Sequence, residues 1–199
     1  MKSVITFIDG QNLYHTVKET WPEYHWPNYC PILLSDKMCS LEPNRELKQV
    51  RIYTGVPSIQ QNAHWHQFWT NKLRALKLKD PNSFIYKGTI NQYDNEKGID
   101  VRLAIDIIKM TFEMSFDVGI IFSQDRDLNE AVIMAYQIAK SQGRYISLES
   151  AYPSDINSNN NRGLAKTQCR KIDKNTYDQC IDYTDYRDKT NPNLHLPGL

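Results

Sequence analysis

The chain has almost no net charge: 24 lysines and arginines stand against 23 aspartates and glutamates in 199 residues, leaving +1. A protein coated in basic residues is thereby excluded, and any contact with nucleic acid has to come from a local patch or through metal ions. Long apolar runs are missing as well. The longest early one, residues 4–8, is cut by Asp9 and is too short for a secretory leader or a membrane span. Cysteine is scarce, with Cys30, Cys39, Cys169 and Cys180 alone, and no two form a C-x-x-C pair. Neither a zinc knuckle nor a thioredoxin-type redox site is therefore expected. Reduced thiols in a cytoplasmic protein are the expectation, with a Cys169–Cys180 disulfide as the alternative. No internal repeat is present. The remaining composition, 40% hydrophobic and 24% charged, is that of a folded chain rather than a disordered one, and the length suits one compact domain.

Along the chain, short apolar runs alternate with helical patterns. Residues 4–8 and 50–53 read as strands, and residues 58–78 as a helix. Residues 84–90 alternate like a strand and 99–113 follow a helical period. Residues 118–122 are wholly apolar, as a strand buried on both faces should be. A helix over 128–141 and a strand over 145–148 complete the series. Between the first two strands, residues 21–45 carry several prolines with Trp21, Tyr24, Trp26 and Tyr29, and read as a long loop. Strands alternating with helices predict an α/β fold whose parallel sheet is covered on both faces. After Pro153 the composition turns polar. The segment from about 154 reads as an appendage of the same domain, residues 1–187, and 188–199 as a disordered tail.

The acidic residues are the most informative. Asp9 directly follows the first strand, and Asp125 and Asp127 follow the strand 118–122. In an open parallel sheet, ligands bind beyond the carboxyl ends of the strands. At about 100° per residue, Asp100 shares a helix face with Leu103, Ala104, Ile107 and Thr111, an inward-looking apolar stripe. Asp106, between Arg102 and Lys109, reads instead as part of a solvated ion-pair face. Carboxylates converging without a matching lysine suit Mg²⁺ or Mn²⁺ held by oxygen ligands. Each also has an ordinary structural reading. Asp9 could start the turn at Gly10, Asp127 with Glu130 could cap a helix, and Asp100 could complement a helix dipole.

Three motifs at these positions resemble those of NYN domains in the PIN-like nuclease superfamily. Asp9-Gly10-Gln11-Asn12-Leu13-Tyr14 resembles the opening D-x-x-N motif. Lys97-Gly98-Ile99-Asp100-Val101 resembles the K-G-x-D helix start, and Ser123-Gln124-Asp125-Arg126-Asp127-Leu128 the S-x-D-x-D-[FL] motif. Arg162-Gly163, Lys166-Thr167 and the stretch 172–178 resemble a C-terminal segment of one bacterial branch, so the likeness covers roughly residues 3–187. It implies a metal-dependent ribonuclease on a three-layer α/β/α fold with a mostly parallel central sheet. Carried over by position, Asp9, Asp100 and Asp125 would be metal ligands, and Asp127 a further ligand or one acting through water. Asn12 would orient Asp9 or the scissile phosphate. Gln124 stands where many members have Gly, which bears on substrate choice. No further acidic ligand is evident; Glu42 and Glu46 are candidates by position only.

Other residues fit around this reading. Lys97 and Arg126 sit inside the motifs, where a cation could meet phosphate; Arg126 could equally pair with Asp125 or Asp127. Arg162, Lys166, Arg170 and Lys171 form one basic cluster, readable as an RNA-backbone track or as plain solvated surface. Trp65, Phe68, Trp69, Lys72, Leu73 and Leu76 share a helix face and read chiefly as packing on the sheet, with base stacking as the rival. His64 and His66 point apart and cannot chelate one ion. The leading function is cleavage of RNA by metal-activated water, leaving 5′-phosphate and 3′-hydroxyl ends. The partners expected are RNA and possible homodimer or inhibitory protein contacts, with no membrane. The alternatives are a catalytically inactive RNA- or protein-binding module and a phosphomonoesterase using Asp9 as nucleophile. The last normally wants a second Asp two residues on, where this chain has Gln11.

Overall fold

The computed structural model describes residues 1–90, 96–155 and 162–187. The elements are β1 (Lys2–Asp9), α1 (Gly10–Thr20), α2 (Pro31–Cys39), β2 (Arg45–Val56), α3 (Ile59–Lys79), β3 (Phe84–Ile90), β4 (Glu96–Lys97), α4 (Ile99–Phe112), β5 (Val118–Phe122), α5 (Asn129–Ser141), β6 (Ser147–Pro153), β7 (Gln168–Ile172) and α6 (Lys174–Asp178). One sheet runs β4-β3-β2-β1-β5-β6-β7, parallel throughout except for the short antiparallel β4. From β1 the chain winds outward through β2 and β3, then returns to lay β5 on the other side of β1. The strand order therefore reverses between β1 and β5, and the crevice beyond their carboxyl ends is where such sheets bind ligands.

Alternation along the strands builds the layers. Val4 and Ile8 of β1 with Val118, Ile120 and Phe122 of β5 face α1, α2 and α3. Ile5, Phe7 and Ile121 face the opposite way, against Leu103 and Ile107 of α4 and Val132 and Ala135 of α5. This is the α/β/α sandwich expected of strands buried on both faces.

Four sequence expectations are corrected. The stretch 21–45 is not wholly loop: Pro31 starts α2, whose Leu34 and Met38 are buried against the sheet. The last strand of the series is β6, running 147–153 rather than 145–148, and all seven of its residues are buried. The polar segment after 154 supplies β7, which pairs in parallel with β6. It does so because Glu149, fully buried in β6, receives Arg45 at 2.6 Å and Arg170 of β7 at 2.9 Å. A buried carboxylate needs such partners, and neither arginine is visible as its partner from local sequence. Asp106 is not on a solvated face either. It is 1% exposed and accepts from Arg51 and Tyr53, each at 2.8 Å, and from Arg102 at 3.1 Å.

All four cysteines are free, with Cys169 exposed and the others buried, so the alternative Cys169–Cys180 disulfide is not formed. No helix among the described residues is long and apolar enough to cross a membrane. The tail expected over 188–199 lies outside the described residues.

Candidate active site

β1 delivers Asp9 to the crevice and α1 begins at the next residue. Asp9 caps that helix: its Oδ1 accepts from the backbone N–H of Asn12 at 3.0 Å. Its Oδ2 accepts from Ser123 Oγ at 3.2 Å, and the same hydroxyl accepts from the N–H of Asp125 at 3.1 Å. Asn12 Oδ1 accepts from the N–H of Gln124 at 3.0 Å. The first and third motifs are thus laced together across adjacent strands, and Asn12 orients both Asp9 and the chain entering Asp125. Asp125 in turn caps the 3₁₀ turn Arg126–Leu128, its Oδ1 accepting from Asp127 N at 3.0 Å. It is Asp125, rather than Asp127 with Glu130, that supplies a cap here.

Asp100 arrives from α4. Gly98 adopts a left-handed conformation (φ 76°) that turns the chain out of β4 into that helix and leaves Asp100 in its first turn. Leu103, Ile107 and Thr111 are buried as the helical period requires, whereas Asp100, at the end of the stripe, is exposed at the crevice.

The electrostatics tie these carboxylates to one another. Asp9 is pushed up to about 6, by burial first and also by the charges of Asp100 and Asp125, against the hydrogen bonds from Asn12 and Ser123. Asp100 is also raised, first by partial burial and then by Asp125 and Asp127. Among the described residues, no lysine or arginine forms an ion pair with any of the four. Unpaired carboxylates repelling one another are a donor set that suits a hard divalent cation. Among the described residues, however, no three His, Cys, Asp or Glu side chains close around a common point.

A stability prediction follows from Asp9. Its raised pKa means that the folded state prefers the protonated acid, so metal-free stability falls as pH rises from about 4 to 6. Asparagine retains the capping oxygen and removes the buried charge. In EDTA at pH 7.5, Asp9→Asn is expected to unfold about 2–3 kcal/mol harder than the parent chain in a urea titration. The gain should shrink to nothing below pH 4.

The basic candidates divide. Arg126 is exposed and forms no ion pair among the described residues. Arg162 and Lys166 are exposed on a segment strapped to the same edge: Gln124 Nε2 donates to the Arg162 carbonyl at 2.8 Å, and Ala165 N donates to Asn129 Oδ1 at 2.8 Å. Gly163 makes this approach possible, since a Cβ there would lie 2.8 Å from that of Ser150. Arg170 leaves the basic cluster, being committed to Glu149 and Glu42. Lys97 belongs to β4, and its side chain lies outside the described residues. Glu42 and Glu46 are no ligands for this crevice. They lie at the amino end of β2, where Glu46 is in register with Ser3, and bind Arg170 and Lys48. Ser123, which links Asp9 to Asp125, was legible only as a letter of the third motif.

A family model, the NYN domain, matches residues 3–154, which hold all three acidic motifs. The chain belongs to the NYN domain family. NYN domains are part of the PIN-like nuclease superfamily, and the carboxylates of this one lie where its sheet reverses strand order. β7, α6 and the segment carrying Arg162 and Lys166 follow the matched residues. Among solved structures, this NYN protein is similar to VPA0982, a protein of unknown function from Vibrio parahaemolyticus RIMD 2210633. Identity is 16%, with TM-score 0.46 over 75% of this chain and 82% of that one. No curated protein matches.

Proposed function

We propose that this NYN domain is a metal-dependent endoribonuclease. The observation that carries the reading is the gathering of the carboxylates at one crevice, where burial first and neighbouring carboxylates second raise Asp9 and Asp100, with no ion pair to any of them among the described residues. Asp9, Asp100 and Asp125 would hold Mg²⁺ or Mn²⁺, with Asp127 as a further ligand or one acting through water. When bound, the ion would polarise the phosphodiester and lower the pKa of the attacking water. Asn12 and Ser123 keep Asp9 and Asp125 aimed at the crevice. Arg126, Arg162 and Lys166, with Lys97 and Gln124 from the motifs, meet the RNA phosphates, which makes binding salt-dependent. The molecule reads as one domain over 1–187 acting on internal bonds, with no covalent enzyme intermediate.

The test is incubation of the protein with end-labelled single-stranded RNA and Mg²⁺ or Mn²⁺, with and without EDTA. Internal cuts that carry 5′-phosphate and vanish in EDTA are expected; cleavage that survives EDTA contradicts the reading. One observation favours a second reading, an inactive RNA-binding module: no three acidic groups close on a point among the described residues. RNA retention with no cuts under either metal would favour it.

A further inference from the structure

A cavity of about 410 Å³ opens at the start of α1. Gly10 and Gln11, the two residues after Asp9, line it, and so does Tyr29, which is close enough to Asp9 to feel its charge. Its size falls in the range of pockets that take small ligands, roughly 300–1,000 Å³. The walls are aromatic: Tyr14, Trp26, Trp65, Phe68 and Trp69. Only Phe68 is fully buried. Trp65 and Trp69 are half-buried, and Trp26 is 46% exposed. Trp26 and Trp65 stack face to face with centroids 4.1 Å apart, and Tyr14 meets Trp26 edge-on at 5.8 Å. Plain packing explains Phe68, Leu73 and Leu76 on this face of α3. It does not explain a tryptophan stack held open to solvent on the wall of a cavity that reaches the residues after Asp9.

The same cavity is lined by a charge that packing does not need. Lys72 is 4% exposed and donates to Asn28 Oδ1 and to the Tyr29 carbonyl, the latter at 2.8 Å. The rings of Tyr29, Phe68 and Trp69 stand 5.4–5.9 Å from its ammonium. Two of its three N–H donors are thus used, and the third has no acceptor among the described residues. Nor is there a carboxylate within ion-pair distance among them. Burial lowers its pKa to about 8, against the more distant charge of Asp182 and that of Cys30, which raise it. A buried ammonium with a spare donor is costly in an empty site and useful where a ligand brings an acceptor.

We propose that this cavity takes one unstacked base of a single-stranded RNA whose neighbouring phosphate lies at the carboxylates, an inference that rests on the nuclease reading. Planar faces suit the aromatic walls, and a base carbonyl oxygen suits the spare N–H of Lys72. Uracil, cytosine and guanine carry such an oxygen, whereas adenine offers only ring nitrogens as acceptors and fits less well. Paired bases cannot enter, so duplex RNA is a poor ligand.

The experiment is fluorescence anisotropy of labelled oligouridylate and oligoadenylate with the full chain, in EDTA and again with Mg²⁺. It is repeated for Trp65→Ala, Trp65→Phe and Lys72→Met, with thermal unfolding as the check on folding. Oligouridylate is expected to bind tighter than oligoadenylate. Trp65→Ala should weaken oligouridylate binding about 5- to 100-fold, the scale of one lost base stack, and Trp65→Phe should recover most of it. Lys72→Met should erase the difference between the two oligomers. A folded Trp65→Ala protein with unchanged affinity overturns the inference, as does a wild-type chain that binds neither oligomer in either buffer. The two readings separate cleanly. Metal-dependent cuts with unchanged Trp65→Ala binding leave the nuclease and remove the pocket. Trp65-dependent binding with no cleavage by the wild type leaves the pocket and removes the nuclease.

Discussion

Asp100→Asn and Asp125→Asn are each expected to reduce metal-dependent RNA cleavage by about 10²- to 10³-fold or more. That corresponds to the several kcal/mol of charge stabilisation a catalytic ion contributes, at about 1.4 kcal/mol per decade. The reason to expect so large an effect from so small a change is that asparagine preserves nearly everything else. At position 125 its amide oxygen can still accept from the Asp127 N–H and cap the 3₁₀ turn. At position 100 the side chain is exposed and makes no ion pair among the described residues, so none of those is lost. Either substitution also removes a negative charge that now raises Asp9. The metal-free variants should therefore melt no lower than the parent chain while losing activity. Single-turnover cleavage and thermal unfolding on the same samples test this. A variant that cuts at the parent rate would show that its carboxylate takes no part in the chemistry.

Asp106→Ala is expected to do the reverse, destabilising the fold by about 3–5 kcal/mol in a urea titration. Asp106 is the acceptor for Arg51, Tyr53 and Arg102, and both Asp106 and Arg51 are buried. Truncation leaves the Arg51 guanidinium inside the protein with only neutral acceptors, Gln49 Oε1 at 2.7 Å and the Tyr53 hydroxyl at 2.9 Å. The pH dependence has a definite sign. Burial by itself would raise Asp106, but hydrogen bonds from Arg51 and Tyr53 and the Arg51 charge outweigh it and hold the carboxyl below the ordinary range. Its contribution is therefore full at neutral pH and disappears on acidification below about pH 4. The parent chain should lose this increment in acid, and Asp106→Ala should have none to lose.

The contrast between Asp100 and Asp106 shows where sequence reading succeeds and where it stops. The order of elements was legible because strand and helix periods differ, and β5 is found at the bounds its apolar run marks, Val118–Phe122. The carboxylates at the sheet edge were legible because a strand's end is itself a local feature. Asp106 was misread because its decisive partner, Arg51, is 55 residues away on β2; helical spacing sees only Arg102 and Lys109. Glu149 and Arg170 repeat the lesson: β7 looks like charged surface until its arginine is placed on a buried carboxylate of the next strand. α2 was hidden differently, because it is nine residues long and starts at a proline within a proline-rich stretch. The aromatic face of α3 was half legible. Its period marks Phe68, Leu73 and Leu76 as core, but the cavity under Trp65 exists only once Trp26 has folded over it.

The central claim is that these carboxylates share a divalent ion, and calorimetric titration of the metal-free protein with Mn²⁺ tests it most directly. At pH 7.5 a saturable binding isotherm is predicted, lost or much weakened in Asp100→Asn and Asp125→Asn. At pH 5.5, where Asp9 is largely protonated, binding should be weaker and should release protons to the buffer, and Asp9→Asn should reduce that release. A wild-type protein that takes up no Mn²⁺ at neutral pH, or one whose binding is untouched by all three substitutions, would contradict the account.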